Sequence, residues 1–119
     1  MKKGKHLGDF NVKQISMRVR DDGKLECNFE GIVSGYGQGF STMTVTVGDG
    51  KSGSYDWAGI AYAENGDITE ATGNGQWERT NKWAINGTTR SRDGRTTVLS
   101  EGTMDLATRT WTGKYYEAV

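Results

Sequence analysis

The chain has 119 residues, with 15 Lys and Arg against 15 Asp and Glu, so its formal net charge is +0 and its pI lies near 6.6. Balanced charge argues against a nucleic-acid partner, because binding through phosphates calls for a broad basic surface. Hydrophobic residues make up 34% and the mean hydropathy is −0.71, enough for one core and too little for an apolar run that crosses a bilayer.

A single cysteine closes no internal disulfide, and no secretory leader pattern opens the chain, so the expected setting is soluble and cytoplasmic, away from membranes. The most unusual figures are 18 glycines and no proline, which point to an all-β fold with turns and bends made by Gly.

In chain order, residues 1–8 are basic and lack a hydrophobic period, which reads as a flexible tail ahead of a single domain over 9–119. From Phe10 onward, runs rich in Thr, Val, Trp and Tyr alternate with turn clusters at 21–23, 35–39, 48–53, 65–66, 79–81, 93–94 and 106–109. Connections this short join antiparallel neighbours, and no segment offers an uninterrupted helical period, so the pattern predicts a meander of about eight strands. An open sheet of that size exposes two unpaired edges. Closure removes them, and glycines within the strands (Gly59, Gly73, Gly75, Gly87, Gly102 and Gly113) suit the bending that closure needs. A small up-and-down barrel is therefore expected, ahead of a two-sheet sandwich.

Turn length sets which residues face inward. A three-residue loop at Asp21-Asp22-Gly23 aligns Ile15, Met17 and Val19 with Phe29, Cys27 and Leu25. In the third strand, Met43, Val45 and Val47 alternate with threonines, but the loop from Gly48 to Gly53 leaves the pairing with the fourth strand open. A two-residue turn at Asn65-Gly66 puts Tyr62, Ile60 and Ala58 on the face of Thr69, Ala71 and Gly73. A three-residue loop at Arg79-Thr80-Asn81 sets Trp77 opposite Trp83. A two-residue turn at Asp93-Gly94 pairs Arg92 with Arg95, placing Thr89, Gly87 and Ile85 beside Val98, Ser100, Gly102 and Met104. A four-residue loop from Leu106 to Arg109 faces Met104 with Trp111 and Gly102 with Gly113, and brings Tyr115 to the same side. On these registers Tyr62, Trp77, Trp83, Trp111 and Tyr115 line the interior among glycines, leaving room for one small ligand.

Few residues suggest reaction chemistry. His6 is the only histidine and sits in the basic segment, so neither a Ser-His triad nor a usual zinc set can be assembled, and no metal or cofactor is expected. The Asp-Gly pairs at 49–50 and 93–94 read as turns rather than calcium ligands. Cys27 alternates with core residues and reads as structural. The glycine-rich run 35–39 lacks the following helix of a phosphate loop and reads as a hairpin, or lid, at the barrel mouth. Arg90, Arg92 and Arg95, with Arg79 and Lys82 elsewhere, read as solvated hairpin ends or as an anion-recognising rim. Candidate acid–base groups are Tyr62, Tyr115, Glu101 and Glu117.

The last hairpin, Gly102-Thr103-Met104-Asp105 through Arg109-Thr110-Trp111-Thr112-Gly113-Lys114-Tyr115-Tyr116, together with the alternation of Gly and aromatic residues, resembles two groups of small up-and-down barrels. One is the calycin-like binders, lipocalins and avidins, which hold a small molecule inside; the Trp-Thr-Gly-Lys-Tyr segment is similar to an avidin strand. The other is the allene oxide cyclase-like barrels, which fold a reactive substrate in the cavity. The early Gly-x-Trp signature of the binders is missing, since the first tryptophan is Trp57, and no residue role carries over from either group. The resemblance implies a binder for an apolar or aromatic molecule or, alternatively, a cofactor-free cyclase or isomerase. The third expectation is a filled barrel serving as a protein-interaction or assembly module; a homo-oligomer is compatible with all three.

Overall fold

The computed structural model describes residues 2–94 and 96–119. Eight strands follow one another: β1 (Lys3–Val19), β2 (Leu25–Val33), β3 (Gly37–Val45), β4 (Ser52–Tyr62), β5 (Ile68–Asn81), β6 (Ala84–Arg92), β7 (Thr97–Asp105) and β8 (Thr110–Ala118). Each pairs antiparallel with the next, and β1 pairs with β8 to close the barrel. Among the described residues there is no helix, and so none long and apolar enough to cross a membrane.

The basic segment expected to be a tail belongs to β1 from Lys3 onward, pairing Lys3 with Ala118 and His6 with Tyr116. Lys2 and Val119 exchange backbone hydrogen bonds of 2.8 and 2.9 Å. The reason is topological: the edge of β8 must be covered for the barrel to close, and backbone pairing needs no hydrophobic period. Its partner along that edge is the first half of β1, whereas β2 takes Phe10–Val19. This division of one long strand between two neighbours gives the stagger a closed sheet requires.

The turns decide the faces. Both Asp21-Asp22-Gly23 and Glu64-Asn65-Gly66 form three-residue loops, each closed by a hydrogen bond into the loop (Gly23 N to Arg20 O, Gly66 N to Ala63 O, both 3.0 Å) and each ending on a glycine of positive φ (83° and 93°). In the second hairpin this pairs Tyr62 with Ile68 rather than Glu64 with Asp67, a slip of one residue. Side chains alternate along a strand, so every residue of β4 changes face. Tyr55, Trp57, Gly59 and Ala61 point inward, and Tyr62, Ile60 and Ala58 point outward.

The β6–β7 hairpin pairs Arg92 with Thr97 rather than Arg95, which lies outside the described residues. That shift of two keeps the expected faces. The β7–β8 hairpin pairs Met104 with Trp111 and Gly102 with Gly113, as its loop length predicts. In the first hairpin Met17 meets Cys27 and Val19 meets Leu25, but a bulge lets Gln14, not Ile15, oppose Phe29. Ile15, Met17 and Val19 are 52%, 56% and 66% exposed, because the hairpin runs on past Lys13, where pairing with β8 ends.

Inside, aromatic rings occupy space vacated by glycines. A β-carbon at Gly102 would stand 2.7 Å from the Trp111 indole nitrogen and 2.8 Å from the Phe10 ring; one at Gly113 would stand 2.7 Å from Phe10 and 2.6 Å from the backbone of Gly102. At Gly59 the Trp57 ring is 2.6 Å away. The Tyr55 ring lies across Gly75 in the same manner. Gly113→Ala is accordingly expected to destabilise the fold by about 1–3 kcal/mol in urea unfolding, as overpacking does. Gly87→Ala, whose β-carbon would come no nearer than 3.3 Å to the Tyr55 hydroxyl, is expected to cost less.

Candidate functional site

The interior divides into a filled and a hollow part. Toward the end carrying the β1–β2, β3–β4, β5–β6 and β7–β8 loops, bulky groups fill the lumen. Trp77 is buried between Gly53 and Gly87 and donates from Nε1 to the Thr46 carbonyl at 3.1 Å. Tyr55 is buried and donates to the Thr88 carbonyl at 3.0 Å, with the Thr89 hydroxyl also in hydrogen-bond contact. Trp111 centres the cluster at mid-barrel: it joins Val12 and Phe29 as buried core and meets Phe10 edge-on at 4.9 Å and Phe29 at 5.5 Å. Met43, Met104, Trp57 and Cys27 pack around it, and burial pushes the Cys27 thiol above its ordinary pKa.

Toward the other end the inward positions of β3–β7 are small: Gly39 and Ser41, Gly59 and Ala61, Thr69 and Ala71, Thr89 and Ser91, then Ser100. With little to fill it, the lumen keeps a cavity of about 130 Å³. Phe10, Val12, Trp57 and Trp111 supply its aromatic and aliphatic wall, and Val33, Val98 and Tyr115 lie nearer the mouth. The β2–β3 loop brings Tyr36 over the mouth against Tyr115, ring centroids 5.7 Å apart, and the β6–β7 loop adds Asp93. The 35–39 run is thus a hairpin at the barrel mouth. Tyr115 is 4% exposed; its hydroxyl lies beside Ser34 without a hydrogen bond of good geometry.

Of the aromatic residues expected inside, Trp111 and Tyr115 line this cavity and Trp77 packs in the filled part. Trp83 does not face inward: it sits in the turn before β6, 53% exposed and with the Lys82 ammonium 5.4 Å from its ring centroid, because Trp77 pairs with Gly87 instead. Tyr62 is turned out by the one-residue slip and packs edge-on against Phe40 at 6.1 Å. With Ile32 and Ile68 they form an exposed apolar strip on the outer wall. Glu101 also faces out, its carboxylate 3.0 Å from Lys3 Nζ, which holds the Lys3 ammonium above its ordinary pKa. Glu117 stands opposite Val98 near the end of β8.

Arg90 and Arg92 occupy outward positions of β6, and Arg79 is bound to the Asn81 and Lys82 carbonyls at 3.2 and 2.8 Å. The Arg95 part of the expected rim lies outside the described residues. Sequence reasoning missed Phe10, Tyr36 and Trp57 as lining residues. The signal for Trp57 was available: Glu64-Asn65-Gly66 has the same acid-polar-Gly form as the Asp21-Asp22-Gly23 loop.

No family model, curated protein or solved structure matches the chain.

The phenols of Tyr36, Tyr55 and Tyr115 are all held above their ordinary pKa of 10.0, chiefly by burial; Asp93 adds to the effect at Tyr36. A raised folded-state pKa means the unfolded chain loses these protons first, so stability is full below pH 10 and falls as pH rises above it. Urea midpoints are expected to drop above pH 10, and Tyr55→Phe is expected to make the drop shallower.

Proposed function

We propose that the barrel binds one small apolar or aromatic molecule in the cavity beside Trp57 and Trp111. The observation that carries this reading is the coincidence of a void of about 130 Å³ with a mostly apolar wall and small inward side chains on β3–β6. Apolar cavities of about 150 Å³ stay dry and take up benzene, which sets the ligand at roughly the size of a single ring. Burial against the indoles and Phe10 supplies affinity through desolvation and ring contact. Tyr36, at the mouth, is placed to act as a lid.

This size favours the calycin-like kind of function, a binder, over a cyclase acting on a long-chain substrate. Among the described lining residues, the groups open to a cyclase or isomerase are the Tyr36 and Tyr115 phenols, both protonated at neutral pH, and Asp93. The outer strip of Ile32, Phe40, Tyr62 and Ile68 favours a second property, contact with another copy or another protein, that is compatible with an occupied cavity.

Titration with toluene, exciting tryptophan selectively, is expected to give a saturable fluorescence change. Ala71→Phe, which fills the cavity from β5, is expected to abolish it while leaving a cooperative unfolding transition. A linear, unsaturated response in the parent protein would contradict the reading.

A further inference from the structure

The cavity has two unlike linings. Phe10, Trp57 and Trp111 supply the ring surface; the other lining is hydroxylic, where β6, β7 and β8 carry Thr89, Ser100 and Tyr115 directly across from one another, with Ser91 one inward position along β6. Among the described residues, no side-chain hydrogen bond uses the Ser91 or Ser100 hydroxyl, and both open onto the cavity. The Thr89 hydroxyl is already oriented. Tyr55 has one phenolic proton and spends it on the Thr88 carbonyl at 3.0 Å, so in its contact with Thr89 the proton comes from Thr89. That leaves the Thr89 oxygen as an acceptor, with Ser91 and Ser100 free to donate or accept beside it.

We infer that the ligand is a neutral ring bearing a hydroxyl, of the phenol class, with its face on Trp57 and Trp111 and its hydroxyl on the Ser91–Ser100–Thr89 wall. The inference rests on the cavity being a binding site and adds the polar end of the ligand. A ligand hydroxyl can donate to Thr89 and accept from either serine, so that no polar group is buried unpaired. Among the described residues no Lys, Arg or His lines the cavity, and the charged lining group is the Asp93 carboxylate, which does not favour an anion. The hydroxyl wall also separates this cavity from a purely hydrocarbon one, where burying a phenol without a partner carries a penalty.

The test compares phenol, toluene and benzoate by isothermal titration or amide chemical-shift perturbation, in the parent protein and in Ser91→Ala/Ser100→Ala. Removing the serine hydroxyls is expected to raise the ratio of the phenol to the toluene dissociation constant about fivefold or more, with toluene little changed and benzoate unbound throughout. If the double variant does not fold, Ser100→Ala alone carries the comparison. A ratio that rises by less than about twofold, or benzoate binding as tightly as phenol, overturns the assignment while leaving the cavity reading intact. Failure of both phenol and toluene to bind the parent protein overturns the cavity reading, and this one with it.

Discussion

The structure depends on rings seated over glycines. A barrel of eight strands has a narrow lumen, and aromatic side chains projecting into it collide unless facing positions are bare. Here Phe10 covers Gly102 and Gly113, Trp111 reaches Gly102, Tyr55 crosses Gly75 and Trp57 lies back over Gly59. Each ring thus has atoms seated where a β-carbon on the facing wall would stand. The same glycines that let the sheet bend also give the rings their places, which explains why so glycine-rich a chain still builds a specific interior.

How the rings are distributed then divides the lumen. Tyr55 and Trp77 occupy one end and are tied by hydrogen bonds to the Thr88 and Thr46 carbonyls, so their polar atoms are satisfied as they are buried. Trp111, with Phe29 and Phe10, forms a floor at mid-height. Beyond it, the inward side chains of β3–β6 are small up to the mouth, with Ser100 and Val98 on β7, and the wall cannot collapse on the space because the closed backbone ladder holds the strands apart. Hollow and filled parts are therefore two outcomes of one arrangement: a ring needs a bare position opposite, and bare or small positions without a ring leave space.

Much of this was legible in the chain. Short turns, strand-length runs and the absence of a helical period led to an antiparallel meander, and the edge problem led to closure. The last hairpin was readable to the residue, because the four-residue loop 106–109 leaves Gly102 opposite Gly113 and Trp111 opposite Met104. The fourth strand was misread for one reason. Asn65-Gly66 is a familiar two-residue turn, but the chain uses Gly66 as the positive-φ end of a three-residue loop, and a single residue of register exchanges Tyr62 for Trp57. Trp83 was misplaced because β5 runs on through Arg79, Thr80 and Asn81, so the turn falls at Lys82-Trp83 and Trp77 meets Gly87. The role of the basic N-terminal segment was hidden for a different reason: a strand whose side chains stay exposed leaves no hydrophobic period, though its backbone closes the barrel.

The central claim is that a ring-lined hollow persists above Trp111 rather than being closed by side-chain rearrangement. A crystal structure under xenon pressure tests it directly, since xenon enters dry apolar voids of this size. The account predicts a xenon atom between Trp57, Trp111 and the β5–β6 wall, with both indoles facing the lumen. Well-ordered crystals with a lumen packed by side chains and no xenon, or with those indoles turned to solvent, would contradict it.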